Sequence, residues 1–384
     1  MSIRTKRVRV LDFSDIHLLH PRTPTRSIIQ ELDAVLNRNA DLADVDIIFF
    51  SGDVFDNLVN IAQEDLHLVF DWIYRLLKLC KDLDIQLRIL EGTPSHDWKQ
   101  SRWFETINQR FDVHADLLYF PALAIEHNER YNLNILYVPD EWRSDTKQTY
   151  QEVKQLLQEK HLEKVDIAIM HGAFLYQLPP IAQGKVPMHV EQDYLDIVKY
   201  FIFIGHVHKH STFERIISPG SFSRLAHGEE EAKGYMDATI YDDDTFTVTF
   251  KENPLATHYV TIDVSTLADE QSVLQYVKDE LKKHPPGSHI RIKAQAGHFA
   301  IANKVLYAVH FPEYIWTLTS EAKEKAITPQ EQYDADETVI EIQQITIDKE
   351  NVVSLLMDRL NQKVQDPNLL KVAKAILQQE VERG

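Results

Sequence analysis

The chain has 384 residues, of which 44% are hydrophobic and 26% charged, and its formal net charge is -18. Such a length predicts two domains plus an extension, no run is apolar for long enough to span a bilayer, and the negative balance argues against gripping nucleic acid through a broad basic face. The one cysteine, Cys80, excludes an internal disulfide and fits a reducing, cytoplasmic compartment, and the basic N-terminus meets Asp12, Ser14 and Asp15 too soon to be a secretory signal.

Val8, Val10, Leu11 and Phe13 carry the β-branched and aromatic bias of a buried strand, which stops at Ser14, Asp15 and His17. Residues two apart in an extended segment point to one side, so Asp15 and His17 can face one ion. Ile28, Ile29, Leu32, Val35 and Leu36 have helical spacing within 23–39. The run DIIFFS, 46–51, is a second buried strand and ends in Gly52-Asp53-Val54-Phe55-Asp56. A helix over 64–79 covers the sheet. A strand over 86–90 then runs into Glu91-Gly92-Thr93-Pro94-Ser95-His96-Asp97. A helix over 101–111, a strand over 133–138 and a helix over 148–160 precede the strand 165–170, which delivers His171-Gly172. The run YFIFI, 200–204, stops at Gly205-His206-Val207-His208.

From Ser218 to Tyr235 the chain reads as a loop with turn chemistry, followed by a hairpin whose turn is Asp242 to Asp244. The pattern changes near Asn253-Pro254. Strands over 258–264 and 289–294, helices over 269–283 and 303–309, and a strand over 338–347 predict a small α/β unit spanning 254–347. Two helix patterns, 352–364 and 369–381, have more apolar surface than a free tail and predict a docking segment over 348–384.

Alternating strands and helices with polar residues at the carboxyl ends predict an α/β sheet whose ligand lies beyond those ends. Five ends, after Phe13, Phe50, Leu90, Met170 and Ile204, carry Asp or His beside a glycine or a turn. Gathered without a cation, such groups would repel one another. The reading places two divalent ions there: Asp53 as the bridge, Asp15, His17 and His208 on one ion, and His171 and His206 on the other. His96 is the expected proton donor, with Asp97 beside it to orient the ring and Asp56 supporting a ligand histidine. Water would attack phosphorus in line while His96 protonates the departing oxygen.

Asp15-Ile16-His17, Gly52-Asp53-Val54-Phe55-Asp56, His96-Asp97, His171-Gly172 and Gly205-His206-Val207-His208 resemble the five ordered motifs of calcineurin-like metallophosphoesterases, over about the first 250 residues. Pro219-Gly220-Ser221, Arg224, Gly228-Glu229 and Lys233-Gly234-Tyr235 are similar to a stretch of SbcD-type DNA repair nuclease subunits of bacteria and phages. The resemblance implies a β-sandwich flanked by helices over 1–253, a capping domain over 254–347 that binds DNA, and a helical segment over 348–384 that binds an SbcC-like coiled-coil ATPase. It also implies manganese-dependent cleavage of DNA, pairing of two copies as a homodimer, and no membrane. Where the family writes G-N-H-[DE], with Asn a metal ligand, this chain has Gly92-Thr93-Pro94-Ser95-His96-Asp97. Ser95 or a water is the expected replacement. The competing expectations are a phosphoesterase for nucleotides or small molecules, and an interaction subunit with a weakened site.

Overall fold

The computed structural model describes residues 5–36, 40–59, 63–140, 145–178 and 187–320. The first half is built of strand–helix repeats: β1 (Lys6–Phe13), α1 (Thr25–Leu36), β2 (Ile47–Ser51), α2 (Leu66–Asp82), β3 (Gln86–Leu90), α3 (Arg102–Arg110) and β4 (Leu117–Phe120). After the turn come β5 (Ala124–Asn128), β6 (Leu133–Val138), α4 (Thr146–Glu159), β7 (Val165–His171), α5 (Glu191–Ile197) and β8 (Val198–Gly205). Two short strands, β9 (Ser211–Phe213) and β10 (Ile216–Ser218), and the hairpin β11 (Gly234–Tyr241) with β12 (Phe246–Glu252) complete this part.

These strands form two six-stranded sheets, ordered β12-β11-β1-β2-β3-β4 and β5-β6-β7-β8-β10-β9. In the first, β1 to β4 run parallel and the β11–β12 hairpin packs against β1 with β11 antiparallel to it; in the second, β6, β7, β8 and β10 are parallel, with antiparallel edges. The sequence explains the layering. A parallel strand covered on both faces is apolar at successive positions, and its period of two divides those positions between two cores. Ile47 and Phe49 of β2 join Ile167 and Ile169 of β7 between the sheets. Ile48 and Phe50 turn the other way, under Trp72 and Ile73 of α2 and Phe104 of α3. Ala168 and Met170 of β7 likewise face Val153 and Leu157 of α4 and Leu195 of α5. The result is a sandwich of two sheets with helices outside each, a mixed α/β architecture.

A third, three-stranded parallel sheet follows, from β13 (Tyr259–Asp263), α6 (Glu270–Leu281), β14 (His289–Ala294), α7 (Val305–His310) and β15 (Ile315–Ser320). It has its own core, in which Val273 and Val277 of α6 pack with Ile290 and Ile292 of β14, Tyr307 and Trp316. Glu31 of α1 accepts from Asn253 Nδ2 at 2.8 Å and from the backbone and hydroxyl of Thr257 at 3.1 and 3.0 Å, fixing the entry to this sheet. Arg224 adds a bond to the carbonyl of Ala256 at 3.2 Å. By contacts the chain divides into units 1–325 and 326–384, so both sandwich and third sheet fall in the first. The expected strand over 338–347 and the two expected tail helices lie outside the described residues, and among the described residues no helix is long and apolar enough to cross a membrane.

Candidate metal centre

The carboxyl ends of β1, β2, β3, β7 and β8 open on one place, where the two sheets approach so closely that only glycine fits. A Cβ on Gly205 would lie 2.0 Å from Ser14 Oγ and 2.4 Å from the carbonyl of Ser51, and one on Gly52, at φ +91°, would lie 2.2 Å from His171 Nδ1. Past the strands the backbone changes hand. Asp15, His17, Asp53 and His206 have φ of 50°, 52°, 51° and 99°, the left-handed region that side chains seldom adopt. Backbone bonds from Asp15 N to the Gly52 carbonyl (3.2 Å) and from His17 N to that of Asp53 (3.0 Å) hold the turns together. Asp15 and His17 therefore share one side from an irregular stretch with positive φ at alternate residues, where the sequence reading expected a strand or extended turn. Strain of this kind gathers where a site needs it.

Asp15, His17 and His208 form one group of facing donor atoms, and Asp53, His171 and His206 another, each within 4.8 Å. Asp53 Oδ2 is 3.2 Å from His171 Nε2 and 4.0 Å from His17 Nε2, so this carboxylate stands between the groups. His17 and His208 face each other, Nε2 to Nε2, at 3.1 Å. His96 belongs to a third group, with His17 and Asp56; its ring lies across that of His17, with centroids 4.9 Å apart.

The outer ring nitrogens are already engaged. His17 Nδ1 meets Asp56 Oδ1 at 3.2 Å, His171 Nδ1 meets the Ser51 carbonyl at 2.7 Å, and His208 Nδ1 meets Glu229 Oε1 at 2.9 Å. Each acceptor can receive a hydrogen bond from Nδ1–H, which in the neutral ring turns the Nε2 lone pair inward, as metal-binding histidines are arranged. Three inward Nε2 atoms around two carboxylates suit borderline divalent cations that accept both nitrogen and oxygen. The residues fit such ions.

Electrostatics agree with this. Burial raises the Asp53 carboxyl, but His171, His96 and His17 overcome it and hold the group well below the usual carboxylate range. Burial lowers His171, yet Asp53, Asp15 and Asp140 raise it to about 10. His208 is pulled down by burial and raised to about 9 by Glu229 and Asp15. His206 moves the other way, lowered by burial and by His171.

Several contacts differ from the sequence reading. Asp97 does not orient His96: its carboxylate accepts from the backbone of Asp53 (3.1 Å), Phe55 (3.0 Å) and Gly92 (2.8 Å), tying the second and third strand ends together. The His96 ring is held at Nδ1 by the carbonyl of Asp56. Ser95 is exposed, whereas the candidate ligands are buried or nearly so. The hydroxyl that reaches them is that of Thr93, next to Gly92, where the sequence reading expected Ser95 or a water. Sequence reasoning also missed His20, whose Nδ1 accepts from the backbone of Arg22 and Thr23 (3.2 and 3.1 Å) and whose Nε2 is 3.8 Å from Asp56. Glu229 was noted only as part of a loop motif; it binds His208 and Lys233, the latter at 3.1 Å.

No family model matches the chain. Among solved structures that resemble part of it, one crystal structure shares 12% identity over 63% of this chain and 99% of its own, with a TM-score of 0.36. The crystal structure of TT1561 of Thermus thermophilus shares 10% identity over 63% of this chain and 98% of its own, with a TM-score of 0.34. At such scores the likeness carries no weight, and the site stands on its own geometry: a buried set of imidazoles and carboxylates that could hold metal ions.

Proposed function

We propose that the chain is a calcineurin-like metallophosphoesterase that hydrolyses phosphodiesters with two divalent ions, manganese by expectation, and acts as the SbcD-type DNA nuclease subunit of a complex with a coiled-coil ATPase. The observation that carries the reading is the pair of three-residue groups meeting at Asp53, with the histidine Nε2 atoms turned inward. Asp15, His17 and His208 would hold one ion and His171 and His206 the other, with Asp53 common to both. Ions held there would supply Lewis acidity at a phosphoryl group and a water nucleophilic at neutral pH. His96 does the remaining proton work. Its Nδ1 is committed to the Asp56 carbonyl, which leaves Nε2 to carry a proton to the departing oxygen. The DNA reading draws on the motif around Arg224 and Glu229, which runs from His208 to the entry of the third sheet.

Release of nucleotides from duplex DNA by the full chain with Mn2+ tests the proposal. His96→Ala should lower the rate by about 10²-fold or more while metal uptake is unchanged, since a positioned proton donor contributes about that much. Turnover confined to small phosphate esters would reject the DNA assignment. Absence of metal uptake would reject the enzyme. Association of the full chain, but not of a chain shortened before Val352, with a coiled-coil ATPase tests the partner.

A further inference from the structure

Thr93 reaches three of the groups proposed to hold an ion. Its Oγ1 is 3.2 Å from Asp53 Oδ2, 3.3 Å from His171 Nε2 and 3.3 Å from His206 Nδ1, and Asp53 Oδ2 is itself 3.2 Å from His171 Nε2. Donor atoms about 2.1 Å from one small cation lie roughly 3.0 to 3.4 Å from each other in octahedral or tetrahedral arrangements, so these spacings are those of one coordination shell. The same spacings let the hydroxyl donate to Asp53 Oδ2 and accept from the two imidazoles while no ion is bound, so that Thr93 holds the four atoms at coordination distance in advance.

The residue is also fixed in advance. Thr93 is 3% exposed; its N–H donates to Asp53 Oδ1 at 2.6 Å, and its carbonyl accepts from the backbone of His96 and Asp97 at 2.9 and 3.0 Å. Pro94 restricts its backbone further. Pro94 and Ser95 then carry the chain out, so that Thr93 and His96 reach the site from opposite ends of one turn.

We propose that Thr93 is an alcohol ligand of the Asp53–His171–His206 position, and that this makes it the weaker of the two cation positions, filled second. A neutral hydroxyl oxygen is a poorer donor than a carboxylate, and the Asp15–His17–His208 position has a carboxylate of its own besides Asp53. The inference rests on the two-ion reading and adds to it an order of filling.

Calorimetric titration of the full chain with Mn2+, and the spin-coupled manganese resonance of a close ion pair, test it without reference to activity. The wild type should take up two ions in two steps. Thr93→Val should keep the tighter step and weaken the other by about tenfold or more, with loss of the coupled signal; Thr93→Ser, which keeps the hydroxyl, should stay close to the wild type. Ser95→Ala should change neither step. The retained tighter step shows that the valine variant is folded. Two steps of wild-type affinity in Thr93→Val, or equal weakening of both, would overturn the inference and leave the two-ion reading intact, whereas a wild type that binds no manganese would end both.

Discussion

His171 and His208 carry protons in the ion-free protein, and those protons occupy the places of cations. With His171 raised to about 10 and His208 to about 9, both are cationic at neutral pH, each beside a carboxylate. Ligation needs the neutral ring, so uptake of two ions at pH 7 should release about two protons, and affinity should rise with pH until about pH 9 to 10. Titration in buffers of different ionisation enthalpy measures the number; release of none would contradict the arrangement. The same shifts fix the sign for ion-free stability. A histidine raised from 6.5 contributes in full below 6.5, and the contribution is lost as pH rises through 9 for His208 and 10 for His171. Unfolding should therefore become easier from about pH 6.5 to about pH 10 without metal, and much less so with it. The candidate ligands were legible as residue types at strand ends. The parts played by Thr93, Asp97 and Glu229 were not, because each acts across the fold: Asp97 on the backbone at Asp53, Glu229 on the ring of His208.

Strands were legible where both faces are covered, since β2, β6, β7 and β8 each read as a mostly apolar run. β4, which is half exposed, β5, with Glu126 and His127 in it, and α5, only seven residues long, lack that signal. Nor did periodicity reveal what joins the layers. Arg88 of β3, 3% exposed between the sheets, pairs with Glu126 of β5 at 2.9 Å, and Tyr137 Oη donates to the same carboxylate at 2.7 Å. Arg88→Ala leaves Glu126 buried without its cation and should cost about 3 to 5 kcal/mol in chemical unfolding. Adding Glu126→Gln should recover part of that loss, and simple additivity of the two would show that they are not coupled. The close approach of β8 to the first sheet supplies a second test. Gly205→Ala must displace Ser14 or the Ser51 backbone, at a cost of about 1 to 3 kcal/mol or more, and should weaken both cation positions together because His206 and Asp15 move with it. A variant of unchanged stability and metal affinity would show that the strand ends have room the geometry denies.

At the scale of the molecule the proposed DNA activity raises the question of how a chain with 59 acidic and 41 basic residues would hold a polyanion. Neutralising phosphates with lysine and arginine releases counterions, and the slope of log affinity against log salt falls by about 0.9 for each phosphate contacted. A broad basic face gives slopes of about -6 or steeper. A net charge of -18 argues against such a face, and under the two-ion proposal positive charge would be concentrated where Asp15, Asp53 and the inward histidines hold the ions. Binding of duplex DNA by the isolated chain should then be weak, should depend on Mn2+ more than on ionic strength, and should show a slope of about -3 or shallower in fluorescence anisotropy. Addition of a coiled-coil ATPase partner should steepen the slope if that partner supplies lysine and arginine contacts to the phosphates. If the isolated chain binds DNA tightly without metal and with a steep salt dependence, the cations are not what attracts the phosphates, and the third sheet, with Arg291 and Lys293 on β14, becomes the surface to test by substitution.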